Sequence, residues 1–114
     1  MARTTEQVFH DALLALQRGD LPALMAEYAE DAVLMTRDHV YAGREAVQGY
    51  FVGAFSAMPN LTLTGTGEHM HGDVVLFSWT ADSTVARIPT GVDTFVIRDD
   101  KIRLQTSYFT VVPK

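Results

Sequence analysis

The stretch that decides the fold is Gly91-Val92-Asp93-Thr94-Phe95-Val96-Ile97-Arg98-Asp99-Asp100-Lys101-Ile102. Val92 to Ile97 is rich in β-branched and aromatic residues, and Arg98 to Lys101 is a polar turn. A second run, Ile102 to Val112, then returns, so the segment reads as an antiparallel hairpin. One residue does not suit an apolar strand. Asp93 must be exposed, paired, or held in a pocket where its pKa can rise. Only the pocket makes it a candidate acid or base. The plain alternatives are a wet strand face or pairing with Arg87 or Arg103.

Working outward, everything after Asn60 reads as strand and turn. Leu61 to Thr64 alternates Leu and Thr. Gly72-Asp73 is a turn before a strand from Val74 to Ala81. Ser83 to Ile88 is a further strand, placed at an edge by Pro89. The N-terminal half is helical. Thr4 and Gln7 have capping-box spacing, and Phe9, Ala12, Leu13 and Leu16 then mark one helical face. Gly19 ends that helix. Asp20 and Pro22 start a short second one, with Leu21, Leu24, Met25 and Tyr28 facing inward. Ala32 to Thr36 reads as a buried strand, and Arg37 to Gly43 as a polar connection. A third helix runs from about Arg44 to Met58, with Val47, Tyr50, Phe51, Ala54, Phe55 and Met58 at helical spacing, and stops at Pro59-Asn60. Helices first and strands after indicate an α+β fold.

Composition narrows the function classes. The 114 residues make one domain, 1–114, with 47% hydrophobic and 20% charged residues. That length can enclose one small-molecule pocket. A net charge of −5 without a basic stripe argues against nucleic acid and anionic membrane as partners. With no cysteine there is no thiolate chemistry or disulfide, which suits a reducing compartment. No apolar run approaches the ~20 residues of a membrane span. The first residues lack an apolar signal core, so the expectation is a cytoplasmic protein.

Short motifs carry a family resemblance. They are Gly19-Asp20-Leu21, Tyr28-Ala29-Glu30-Asp31-Ala32-Val33, Gly43-Arg44-Glu45-Ala46-Val47, and Asp93 to Ile97 followed by a turn and Lys101-Ile102. In this order the chain resembles the NTF2-like superfamily, in its SnoaL-like and ketosteroid-isomerase-like branch, over nearly its whole length. The resemblance implies a cone-shaped fold: three N-terminal helices packed on a strongly curved, mainly antiparallel sheet that encloses a cavity. It implies a homodimer through the outer sheet face. It also implies activities from isomerase and cyclase to plain ligand binding, with no cofactor. In the isomerases of that family a tyrosine and a protonated aspartic acid hold an enolate oxygen, and a second aspartate moves the proton. Asp93 falls on the late-strand aspartic acid. The tyrosine position falls near Ala12 and the base position near Thr36, neither of which can serve.

Other residues offer replacements. Asp38 and His39 follow the first strand and can reach a cavity from its rim; the bland reading is a solvated loop. His69 and His71, flanked by Glu68 and Asp73, share one face of an extended segment but lack a third metal ligand, so no metal is expected. His10 lies beside the first helix's apolar stripe and should be exposed. Trp79 alternates with Val75, Phe77 and Ala81, and either lines the cavity or simply packs. In the last strand hydrophobicity sends Ile102, Leu104, Thr106 and Tyr108 inward. The resemblance instead sends Gln105, Ser107 and Phe109 to the cavity.

The expectation is therefore an apolar pocket lined by Phe9, Leu13, Leu24, Tyr28, Met35, Phe51, Phe55, Trp79 and Phe95, with Asp93 as its main polar group. Its ligand is a small apolar molecule. One reading is an acid–base isomerase or cyclase using Asp93 with Asp38 or His39. The others are a non-catalytic binder and an association module.

Overall fold

Helix α1 (Thr5–Arg18) begins where Thr4 and Gln7 close a reciprocal capping box and ends at Gly19, whose φ of 66° needs a residue without Cβ. Asp20 then caps α2 (Leu21–Met25) through the Ala23 N–H. The remaining elements are β1 (Tyr28–Thr36), β2 (Val40–Ala42), α3 (Arg44–Ala57), β3 (Thr62–His71), β4 (Val74–Asp82), β5 (Ala86–Arg98), β6 (Lys101–Phe109) and β7 (Val112–Pro113). These come from a computed structural model that describes residues 2–114.

One seven-stranded sheet has the order β2-β1-β6-β5-β4-β3, with β7 paired to the start of β5. Every pairing is antiparallel except β1 with β6. The α+β fold is thus a curved mixed sheet with the helices against one face. α1 packs on α2 and on β3 to β5, and α3 packs on β1, β2 and α2. Phe9 lies edge-on to both Phe77 and Phe95, at 5.1 and 5.2 Å between ring centres, which ties α1 to the middle of the sheet.

Several elements differ from expectation. Tyr28 does not belong to the second helix. It opens β1, where it pairs with Ile102 in the parallel ladder, a long-range pairing with no local signal. The supposed connection before α3 contains β2, which folds back on β1. Leu61 to Thr64 is only the start of β3, which continues to His71 across a bulge at Gly65 to Gly67. Ser83 to Ile88 and Val92 to Ile97 are not two strands: β5 runs through Pro89, which sits at a register break between Trp79 and Ala81. The run read as one strand from Ile102 to Val112 is divided: β6 ends at Phe109, and Val112 opens β7.

Two bulges decide which side chains point inward. Ile97 pairs with Ile102 but Val96 with Leu104, so Arg103 is an extra residue in β6. The alternation reverses across it, and Ile102, Gln105 and Ser107 are all buried. Neither single alternation describes β6. The break at Pro89 does the same for β5, burying Ile88 on one side and Gly91, Asp93 and Phe95 on the other. Met35, expected on the cavity wall, is 40% exposed, because Leu34 at 0% takes the inward position.

Candidate active site

A cavity of about 470 Å³ lies between α1, α3 and the inner face of the sheet. α1 contributes Phe9 and Leu13, and α3 contributes Phe51 and Phe55. Leu24, Tyr28, Trp79, Phe95 and Phe109 complete the expected apolar wall. Asp93, Gln105 and Ser107 bring polar atoms to it from the two central strands. It also takes in Leu61, Leu63, Ile88, Tyr41 and Tyr50, none of which the sequence marked as cavity wall.

Asp93 is only 7% exposed and bonds to side chains from the two flanking strands. From β4, Trp79 donates its indole N–H to Oδ1 at 3.0 Å. From β6, Ser107 donates to the same oxygen at 2.7 Å, and Gln105 donates its amide nitrogen to Oδ2 at 2.9 Å. The Tyr28 hydroxyl bonds to Gln105 Oε1 from β1, which turns the amide NH₂ toward Asp93. Two strands, β4 and β6, thus bond the carboxyl group directly, and a third, β1, orients one of the donors. Its position is the register itself: Asp93 lies opposite Phe77 on β4 and Ser107 on β6.

No cation bonds Asp93 among the described residues. Arg103 pairs instead with Asp31 and Asp99, at 3.4 and 3.5 Å. Burial without a counter-charge pushes the Asp93 carboxyl above the ordinary carboxylate range, and the bonds from Ser107, Trp79 and Gln105 oppose that rise without cancelling it. Burial, then the Asp93 charge, pushes the phenols of Tyr28 and Tyr50 upward as well, so both remain protonated donors near neutral pH.

Asp38 and His39 stand elsewhere. Both are exposed on the turn between β1 and β2. With Thr36 and Arg37 they line an outer hollow of about 320 Å³, which shares Tyr41, Tyr50, Ser107, Phe109 and Val111 with the main cavity. Asp38 pairs with Arg37 at 3.4 Å, and the His39 ring lies edge-on to Tyr41 at 6.0 Å. Neither bonds Asp93. Thr36 shapes this turn, since its hydroxyl accepts the His39 N–H at 3.2 Å. Ala12 lies on the cavity wall without a polar atom.

The histidines near β3 have other surroundings. His10 bonds Glu68 at 2.8 Å, and Asp73 bonds Arg98. His69 and His71 gather no third ligand: no group of three or more His, Asp or Glu suited to a metal occurs among the described residues.

Tyr50 is one of the unexpected cavity residues, and it carries a hydroxyl. It was legible only as one more apolar position on α3. The signal was its type, since a tyrosine on an inward helix face carries a hydroxyl that needs a partner.

The comparisons with known proteins agree with this architecture. A polyketide cyclase, provisionally so assigned, from Sinorhizobium meliloti superimposes with a TM-score of 0.79 at 21% identity, covering 89% of this chain and 93% of that one. A provisionally assigned ketosteroid isomerase from Kribbella flavida gives 0.80 at 17% identity, over 93% and 77% of the two chains. An NTF2-like protein of unknown function from Cytophaga hutchinsonii gives 0.81 at 14% identity, over 96% and 93%. At these identities the likeness concerns the fold alone. No curated protein matches the sequence significantly. The SnoaL-like domain matches residues 8–105, most of the chain, and the protein belongs to that family.

Proposed function

We propose that the protein is a cofactor-independent isomerase or cyclase that binds a small apolar carbonyl compound and moves a proton with Asp93. The observation that carries this reading is a buried carboxyl without a cation at the polar end of an apolar cavity. Such a group is a base of raised strength, and its neutral form is an acid able to donate to a carbonyl. The bonds from Trp79, Gln105 and Ser107 suit the ionised form, because an indole N–H can only donate. As a base, Asp93 takes a proton from the carbon beside the carbonyl, and the C–H electrons move into an enolate. Isomerisation returns the proton at another carbon. Cyclisation uses the enolate carbon to attack a second carbonyl, whose π electrons move to its oxygen, and that oxygen takes the proton back from Asp93. Asp38 and His39, at the rim, are the groups that pass protons between this site and solvent.

The test is uptake of solvent deuterium beside the carbonyl of small apolar ketones. Wild type should exchange these positions, and Asp93→Asn should lose about 100-fold or more of the rate. Equal rates in the two proteins overturn the acid–base reading.

A second reading is a non-catalytic binder of the same apolar ligand. It is favoured by the exposure of Asp38 and His39, which leaves Asp93 without a second acid or base bonded to it. Ligand binding without deuterium exchange in wild type selects this reading.

We also propose a homodimer in the cytoplasm, assembled through the outer sheet face. Val74 and Leu76 on β4, Val92 on β5 and Tyr108 on β6 are exposed there, at 39, 46, 40 and 62%. Val92 lies directly opposite Tyr108, so the patch is continuous across strands. A twofold interface reuses one such patch on both copies. The absence of cysteine suits a reducing compartment, and no helix among the described residues is long and apolar enough to cross a membrane.

A further inference from the structure

We infer that Tyr50 is the hydrogen-bond donor that holds an acceptor oxygen of the ligand, facing the cavity beside Asp93. This rests on the cavity being a ligand site, as proposed above. Tyr50 lines both the main cavity and the outer hollow, so it stands where the two meet. Its ring is clamped between Tyr41 and Phe51, with ring centres 5.1 and 5.2 Å away. Aromatic packing therefore fixes the side chain, and its hydroxyl is left over. No group of the described residues bonds that hydroxyl, yet no fully buried polar atom among them lacks a partner. The hydroxyl is thus not fully buried, on a side chain that lines both the cavity and the hollow.

Tyr41 also lines both spaces with an unbonded hydroxyl and is the control in the test below, whereas the other neighbouring polar groups are engaged. Tyr28 is committed to Gln105, and Gln105, Ser107 and Trp79 are committed to Asp93. α1 lines the cavity with Phe9, Ala12, Leu13 and Leu16, which offer no side-chain donor. Tyr50 is an uncommitted donor that shares the cavity wall with Asp93, and the Asp93 charge adds to the effect of burial in keeping its phenol protonated. A phenol that keeps its proton donates, so the complementary ligand atom is a carbonyl or ether oxygen. An acceptor there also suits the proposed proton transfer, where negative charge grows on the carbonyl oxygen as Asp93 takes the proton.

The test compares two near-isosteric probes, acetophenone and ethylbenzene, by NMR titration of wild type, Tyr50→Phe and Tyr41→Phe. The substitution at Tyr50 should weaken acetophenone by about three- to tenfold, the worth of one net hydrogen bond, and leave ethylbenzene unchanged. With carbonyl-¹³C acetophenone, the bound carbonyl resonance should move upfield in Tyr50→Phe, as it does when a donor is lost. Equal losses for both probes, no loss for either, or a loss carried by Tyr41→Phe alone would overturn the assignment. Asp93→Asn should still bind ethylbenzene. A Tyr50 effect that fails while Asp93→Asn abolishes exchange removes this inference and leaves the proposed function standing. Failure of both probes to bind wild type removes the cavity reading and this inference with it.

Discussion

Gln105 donates to Asp93 Oδ2 at 2.9 Å with its own carbonyl already engaged by the Tyr28 hydroxyl. The amide can satisfy both neighbours only with NH₂ toward Asp93. A neutral Asp93 with its proton on Oδ2 needs the amide reversed, which leaves the buried Tyr28 hydroxyl without its acceptor. Tyr28 is thus a positioning residue that favours the ionised carboxyl through Gln105, against the opposing effect of burial.

Tyr28→Phe frees the amide to turn and give its carbonyl to a protonated Asp93. The Asp93 pKa should therefore rise above its wild-type value. A buried Gln105 acceptor without a donor should also cost about 1–3 kcal/mol of stability. Carboxyl-carbon NMR and denaturant unfolding measure the two effects. An unchanged Asp93 midpoint contradicts the positioning role.

Gly91 lies opposite Trp79, and a Cβ there would meet the indole at 2.2 Å. Gly91→Ala must displace the ring that donates to Asp93 Oδ1. The expected cost is about 1–3 kcal/mol from overpacking. The chain's only tryptophan reports the change directly, through its emission maximum. Native stability together with native emission would show that the indole is not seated over Gly91.

The raised Asp93 pKa sets the sign of a pH effect on stability. The folded state holds the Asp93 proton more tightly than the unfolded state, whose pKa is the ordinary ~3.9. Its contribution is fully present below the unfolded pKa and is lost as pH rises through the folded pKa. Other carboxylates cancel when wild type is compared with Asp93→Asn. Wild type should lose stability relative to the variant as pH rises through this window, measured by urea unfolding at several pH values. A constant difference would mean that the Asp93 pKa is unshifted.

Leu76 is 46% exposed on the outer face of β4, within the apolar patch. Leu76→Glu should convert a dimer into a folded monomer, seen by sedimentation velocity with an unchanged circular dichroism spectrum. A wild-type monomer contradicts the proposed assembly.

Much of this was legible in local sequence. The capping box at Thr4 and Gln7 marked α1, and the alternation Val75, Phe77, Trp79, Ala81 marked the buried face of β4, because both signals are short-range. Asp93 stood out as a carboxylate in an apolar strand. What stayed hidden depended on register. The reversal at Arg103 puts Ile102 and Gln105 on the same side, which no uninterrupted alternation allows. Met35 illustrates the same point, since one step of parity moved it from wall to surface. The entry of Tyr28 into β1 required a parallel partner more than seventy residues away. Tyr50 was visible as an inward helix position, but its free hydroxyl emerged only when its neighbours' partners were known.

Whether Asp93 is a desolvated carboxyl group facing a ligand cavity is decided by titrating its side-chain carboxyl carbon by NMR from about pH 3 to 9. The expected midpoint lies clearly above the ordinary ~3.9 and changes further when an apolar ketone is added. A midpoint at or below ~4, indifferent to added ketone, would contradict it.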